Sequence, residues 1–348
     1  MKIAQIAPLA ESVPPKLYGG TERVVSYLTE ELMRLGHDVT LFASADSETS
    51  ARLIACAPRA QRLDPSLQDP LAELTLMLEC VRRHAQEFDI LHFHVENVHL
   101  PLFRPLGRRT VTTMHSRLDR PEVAPLYREF NDMPLVSISN SQRTALPFAN
   151  WVGTVYHGLA REVCPFNPAP RGNYFAFLGR VSREKGLERA IEIARRADVR
   201  LRIAAKVDRV DEDYFNERLA PLFSLPGIGF VGEVDEARKP AFLGNATALL
   251  FPIDWPEPFG LAMIEAMSCG TPVIAWRNGA VPEIVEDGRS GVIVDSVEQA
   301  VAAAACIGRL DRLAVRERFE ERFSAARMAH DYLAVYRALA RRRAAVPA

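Results

Sequence analysis

A chain of 348 residues, 48% of them hydrophobic, can bury large cores and is long for one domain, so two domains are expected. Lys and Arg number 43 against 44 Asp and Glu, and no extended basic run precedes the tail Arg341-Arg342-Arg343, which argues against nucleic acid as a partner. Five widely spaced cysteines without a Cys-x-x-Cys pair read as reduced thiols; with no signal-like leader and no run of about 18 apolar residues, the expected location is cytoplasmic.

Short apolar runs separated by amphipathic stretches begin at once. Residues 3–8, 39–43, 90–94, 110–115 and 135–139 are expected strands of a parallel sheet covered on both faces. The helix after the first strand begins near Gly19-Gly20-Thr21-Glu22, carries Val24, Leu28 and Leu32 on one face, and stops at Gly36. Ala7-Pro8-Leu9 before it is not the Gly-x-Gly-x-x-Gly turn of a dinucleotide oxidoreductase. His92 and His94, two apart on a strand, share a face, and His99 follows Glu96 and Asn97. Strand histidines more often pack or bond to neighbours than hold a metal, so no metal site is expected. Whether His94, Glu96 and Asn97 reach an acceptor stays open. His115 ends the strand 110–115, where a polar group can meet a ligand, a structural histidine being the alternative. His157-Gly158 reads as an ordinary loop.

Between residues 163 and 172 the alternation fails, and Cys164-Pro165-Phe166-Asn167-Pro168-Ala169-Pro170 supplies linker chemistry. It restarts at residues 174–179, 201–206, 228–232, 248–253, 272–276 and 292–294. The expected class is therefore α/β with two facing doubly wound, Rossmann-like parallel-sheet domains, residues 1–160 and 173–324, joined by a linker over 161–172. A helix over 325–343, with Tyr332 and Tyr336 four apart, is expected to return to the first domain. Ligands of such folds sit in a cleft at the C-terminal ends of strands.

Two segments carry the chemistry. In Phe177-Leu178-Gly179-Arg180-Val181-Ser182-Arg183-Glu184-Lys185-Gly186, a strand-to-helix loop holds Arg180 and Lys185, two cations suited to a diphosphate; a solvated basic loop is the alternative, and Arg183 and Glu184 read as solvent-facing. In Pro256-Glu257-Pro258-Phe259-Gly260-Leu261-Ala262-Met263-Ile264-Glu265-Ala266-Met267, Glu265 is a lone acid in a helix apolar on all sides. No Lys or Arg lies one turn away. A ligand rich in hydroxyl groups is expected to satisfy it. Glu257 lies in a proline-bracketed loop, and Phe259-Gly260-Leu261 brings backbone amides to the helix N-terminus, where anions are attracted. The segment reads as a site for a molecule with both hydroxyls and phosphates. The two cations can supply the charge of a metal clamp, so no obligatory metal or cofactor is expected.

These segments, with Ser268-Cys269-Gly270-Thr271-Pro272-Val273, Tyr18-Gly19-Gly20-Thr21-Glu22-Arg23, Gly36-His37-Asp38-Val39, Ser139-Asn140-Ser141-Gln142 and Gly279-Ala280-Val281-Pro282-Glu283, resemble the family-4 retaining glycosyltransferases of the GT-B fold (glycosyl transferases group 1) over essentially the whole chain. The paired-glutamate segment is the specific part. The resemblance implies that Glu265 bonds the nucleotide ribose, that Glu257 lies near the donor sugar hydroxyls, and that Arg180 and Lys185 grip the diphosphate. It also implies that the amides of Phe259, Gly260 and Leu261 line the sugar and phosphate, that Gly19 and Gly20 allow close approach to donor and acceptor, and that His115 lies by the transferred sugar. His157 stands where the family commonly has Asn before the interdomain crossing.

The expected activity is retaining transfer of a hexose from a nucleoside diphosphate sugar to an acceptor hydroxyl by front-face displacement, with domain closure excluding water. A nucleotide-sugar epimerase and a non-catalytic sugar-nucleotide-binding module are the alternatives. The base stays open among uridine, guanosine and adenosine, with UDP-glucose as the default. The acceptor stays open among glycan, lipid-linked sugar, small molecule and protein. Arg82-Arg83 and the basic tail point weakly to peripheral membrane contact.

Overall fold

The computed structural model describes residues 1–16 and 18–344, except the side chains of residues 342–344. Two compact units emerge: Met1–Gly158 with the C-terminal segment from Ala325, and Leu159–Ser324. The proline-rich stretch 161–172 falls in the second unit.

The first unit holds β1 (Lys2–Ile6), β2 (Asp38–Ser44), β3 (Arg52–Ala57), β4 (Ile90–Phe93), β5 (Thr110–Thr113), β6 (Leu135–Ser137) and β7 (Trp151–Thr154), paired in parallel in the order β3-β2-β1-β4-β5-β6-β7. The second holds β8 (Phe175–Arg180), β9 (Leu201–Lys206), β10 (Ile228–Gly232), β11 (Ala248–Phe251), β12 (Val273–Trp276) and β13 (Gly291–Val294), parallel in the order β10-β9-β8-β11-β12-β13. The doubly wound α/β class expected from the alternating pattern is the class observed. Each sheet reverses its winding once, between β1 and β4 and between β8 and β11, and loops diverge from such a point to leave room for a ligand. Gln5, His92, Arg180 and the chain after Phe251 all stand at these two places.

The strands the sequence pattern missed are β3 and β7. Both lie at sheet edges and are only partly buried; β7 has no continuous apolar run, while β3 carries one in Leu53-Ile54-Ala55-Cys56-Ala57. β5 is shorter than expected and stops at Thr113, leaving His115 two residues past its end.

Six helices bear on the site: α1 (Gly20–Arg34), α2 (Pro70–His84), α3 (Leu187–Arg196), α4 (Lys239–Gly244), α5 (Leu261–Ser268) and α6 (Ala325–Ala344). α2 starts with Pro70 at its first position and the Asp69 carboxylate accepting from the amides of Leu71 and Ala72, and it buries Met77, Leu78 and Val81 against Phe42, Leu91 and Phe93. α3 buries Leu187, Ala190, Ile191 and Ala194 in the second core and places Arg195 and Arg196 at its negative end. α6 packs within the first unit, where Tyr332 and Tyr336, one turn apart, are fully buried. Of the basic tail, Arg341 is exposed, and the side chains of Arg342 and Arg343 lie outside the described residues. Among the described residues no helix is long and apolar enough to cross a membrane.

Candidate functional site

In the second unit, β8 ends at Arg180 and the chain turns through Gly186 into α3. Gly186 has φ 71°, and a Cβ there would lie 2.0 Å from the Pro252 carbonyl oxygen, so only glycine lets this loop sit against the end of β11. That close approach joins the two chemistry-bearing segments. Lys185 Nζ donates to Glu257 Oε2 at 2.5 Å, Trp255 Nε1 donates to the same oxygen at 2.8 Å, and the ammonium lies 5.0 Å from the centre of the Trp255 ring. Both Lys185 and Glu257 side chains are largely withdrawn from solvent, which holds the cation to one place. Arg180 is held less tightly: its guanidinium donates to Glu184 at 3.1 Å and faces Asp208 at 3.6 Å, and Lys206, beside it in the β8–β9 register, pairs with Asp208 at 3.1 Å.

By sequence, Lys185 belongs with the anion-binding cations and Glu257 with the hydroxyl-binding acids. Instead, Lys185 and Glu257 form one unit. Glu184 and Arg183 are not merely solvent-facing either, since Glu184 holds Arg180 and the Arg183 guanidinium lies 4.5 Å from the centre of the Tyr214 ring.

Gly260 opens α5 with φ 90°, and a Cβ there would come 2.7 Å from Met263 Cε, so the helix starts from a bare backbone without a side-chain cap. Phe259 is buried edge-on against Phe323, which fixes the amides of Phe259, Gly260 and Leu261 at the helix start. Four residues after Leu261 comes Glu265, 5% exposed, as its apolar surroundings imply.

No Lys or Arg lies one turn from Glu265 within its helix, yet a hydroxyl-rich ligand is not needed to satisfy it, because the fold brings a protein cation to it. Lys239, at the start of α4 and also buried, donates to Glu265 Oε1 at 2.7 Å and to Glu236 Oε1 at 2.5 Å. The partner comes from another helix 26 positions away in sequence, so a search within one helical turn could not find it.

In the first unit, Gly20 begins α1 and Gly19 precedes it. Glu22, in the first turn, is buried, and its carboxyl is pushed up to about 7, chiefly by loss of water, with Glu11 adding to the shift and Arg62 opposing it. No expectation singled it out, because an acid in a first helical turn normally reads as a dipole partner.

The histidines lie around the β1–β4 crossover. His92 Nδ1 meets Tyr336 Oη and His92 Nε2 meets Thr113 Oγ1, each at 2.7 Å, while Thr113 Oγ1 lies 2.9 Å from Tyr332 Oη. His94 links Gln5 at 2.8 Å to His115 at 2.9 Å. His99 stacks on Phe93 and bonds Thr112, a packing role. Glu96, with φ 56°, turns its Oε1 onto the amides of His115 and Ser116 and the Ser116 hydroxyl, so it shapes the loop that carries His115. Burial pushes the His115 imidazole down to about 3 and those of His92, His94 and His157 well below the ordinary value, so the cluster is neutral near pH 7.

His157 is no ordinary loop residue. Its ring stacks on His115 with centroids 5.3 Å apart and an interplanar angle of 15°. Its only signal in the sequence was the departure from the family's usual Asn.

Among the described residues no group of three or more His, Cys, Asp or Glu is arranged to hold a metal ion. Asp211-Glu212-Asp213, an Asp-x-Asp sequence, lies in a helical turn with Glu212 and Asp213 exposed.

Two parallel doubly wound sheets, one with a bare helix start flanked by a Lys–Glu pair and a buried acid, are the architecture of the GT-B fold. The chain belongs to the glycosyltransferases, since the model of Glycosyltransferase Family 4 matches residues 18–175 and that of Glycosyl transferases group 1 matches residues 165–323. It is 26% identical to the phosphatidyl-myo-inositol mannosyltransferase of Mycobacterium leprae over 92% of this chain and 90% of that one. Sucrose-phosphate synthase from Thermosynechococcus elongatus superposes with a TM-score of 0.78 at 21% identity, covering 97% of this chain and 99% of the other. Anabaena HepE in complex with UDP and glucose superposes with a TM-score of 0.75 at 18% identity, covering 97% and 100%. At these identities the structural likeness establishes the shared fold.

Proposed function

We propose that this glycosyltransferase moves a hexosyl group from a nucleoside diphosphate sugar, UDP-glucose being the default donor, to an acceptor hydroxyl with retention of anomeric configuration. The observation that carries the reading is the 2.5 Å Lys185–Glu257 pair beside the start of α5, which has no side-chain cap, so that a cation, a carboxylate and backbone amides lie in one short stretch. Lys185 and Arg180 grip the diphosphate, the amides of Phe259, Gly260 and Leu261 line phosphate and sugar, Glu257 takes sugar hydroxyls, and Glu265 takes the ribose. Gly19 and Gly20 admit the donor and acceptor, and His115 meets the transferred sugar.

In this reading the bond from the anomeric carbon to the phosphate oxygen breaks as the acceptor oxygen bonds that carbon on the same face. The acceptor's proton passes to the departing phosphate oxygen, and Arg180, Lys185 and the α5 N-terminus stabilise the charge of the leaving diphosphate. Support for a nucleotide-sugar donor comes from the UDP and glucose bound to HepE. The names of the relatives, a phosphatidyl-myo-inositol mannosyltransferase and a sucrose-phosphate synthase, indicate that acceptors differ across the family.

A panel of UDP-, GDP- and ADP-sugars, read by nucleotide release and by melting shift, tests the proposal. One donor should raise the melting midpoint and release nucleotide faster when its acceptor is supplied. Isomerisation of a donor by the protein alone, or no release from any donor and acceptor pair, would overturn it.

A further inference from the structure

Gln5 on β1, His94 just past β4 and His115 just past β5 form a continuous line of hydrogen bonds. The Gln5 amide Nε2 donates to Tyr336 Oη at 3.1 Å, which leaves its carbonyl Oε1 to face His94 Nε2 at 2.8 Å. A carbonyl only accepts, so His94 carries its proton on Nε2 and has a lone pair on Nδ1. The proton shared at 2.9 Å between His94 Nδ1 and His115 Nε2 then belongs to His115 Nε2. His115 Nδ1 is left as a lone pair, and that atom is shielded from solvent with no hydrogen-bond partner among the described residues.

The rest of the network agrees with this ordering. The Tyr336 hydroxyl donates to His92 Nδ1 at 2.7 Å, and His92 Nε2 donates to Thr113 Oγ1 at 2.7 Å. Turning the Gln5 amide over reverses every proton and strands an N–H, rather than a lone pair, at His115 Nδ1. Buried N–H groups without partners are rarer in folded proteins than under-used acceptors, which favours the ordering described. Burial keeps the imidazoles neutral, so each has one proton to place.

We propose that Gln5, acting through His94, fixes the Nε2–H tautomer of His115, so that His115 Nδ1 is presented as a hydrogen-bond acceptor to a hydroxyl of the transferred sugar. The ligand half of this rests on the transfer reading above; the tautomer half does not. Gln5 and His94 are positioning residues that act through His115. A ligand group offering only a lone pair would be refused at this atom, and a hydroxyl able to donate would be accepted.

The test is a long-range proton–nitrogen spectrum of the full chain labelled with nitrogen-15 at histidine, near pH 7.5, with the His115 signals identified by their loss in His115→Gln. The wild-type protein should show a proton on His115 Nε2 and a lone pair on Nδ1. Gln5→Leu should split the His94 and His115 signals between two tautomers and lower kcat roughly tenfold with a panel donor, about the weight of one lost hydrogen bond, with little change in KM. Gln5→Glu, whose carboxylate also accepts from His94, should restore the single tautomer. A proton on His115 Nδ1 in the wild-type protein, or an unchanged single tautomer in Gln5→Leu, overturns the assignment without need of any substrate. The expected spectra with no nucleotide release from any panel donor would instead overturn the transfer reading, and the ligand half with it.

Discussion

Replacing Lys239 by methionine removes the buried cation beside Glu265 while keeping most of the stem's volume. The pair is 2.7 Å apart with both side chains 7% exposed, so the carboxylate loses its nearest compensating charge in a place that water scarcely reaches. Breaking a buried pair from one side costs about 3–5 kcal/mol, against about 0–1 kcal/mol for an exposed pair. Glu236, the other partner of Lys239, is a third exposed and regains solvation, so the loss should fall on Glu265. Lys239→Met is expected to lower the urea-unfolding free energy of the second unit by that amount. The double variant Lys239→Met/Glu265→Leu removes both charges and should recover most of the loss. A single-variant loss below about 1 kcal/mol, or a double variant no more stable than the single, would refute the view that Lys239 is what keeps Glu265 in its helix.

Lys185→Ala should lower transfer by roughly a hundredfold, the scale of one lost donor to developing charge, while circular dichroism stays native; unchanged turnover would remove Lys185 from the diphosphate grip. Transfer is expected to continue in EDTA, and complete loss restored by Mg²⁺ or Mn²⁺ would show that the cations alone do not carry the diphosphate's charge. The Glu22 carboxyl is raised from 4.5 to about 7, so between those values the folded state holds a proton that the unfolded chain has released. Stability therefore falls as pH rises through this window, by up to about 3 kcal/mol, and Glu22→Gln should flatten that part of the profile in urea titrations from pH 4.5 to 8. An identical slope in the variant would refute the assignment.

Much of the fold was legible because strands covered on both faces must be apolar throughout. Residues 90–94 and 248–253 contain β4 and β11, which are buried at every residue. The edge strand β7 is not legible because Trp151-Val152-Gly153-Thr154, half-buried with one neighbour, has no continuous apolar run, whereas β3 carries one in Leu53-Ile54-Ala55-Cys56-Ala57 and was missed all the same. At the site, Arg180, Lys185, Glu257 and Glu265 stand out by residue type in a loop or helix that packing alone would not fill that way. Their partners do not. Lys239, Trp255 and His157 look like ordinary residues of their own segments, and only the folded chain sets them against Glu265, Glu257 and His115.

Local physics therefore decided which elements form and which chemical groups end them, because apolar period, glycine stops and proline brackets act within a few residues. The family motifs added the class of reaction. Tertiary structure alone decided the pairings: that Lys185 is shared with Glu257, that the acid in the apolar helix has a protein cation, and that Gln5 is joined to His115 through His94. Such contacts join residues tens of positions apart, and charge and proton placement depend on distances of a few ångströms that no sequence spacing encodes.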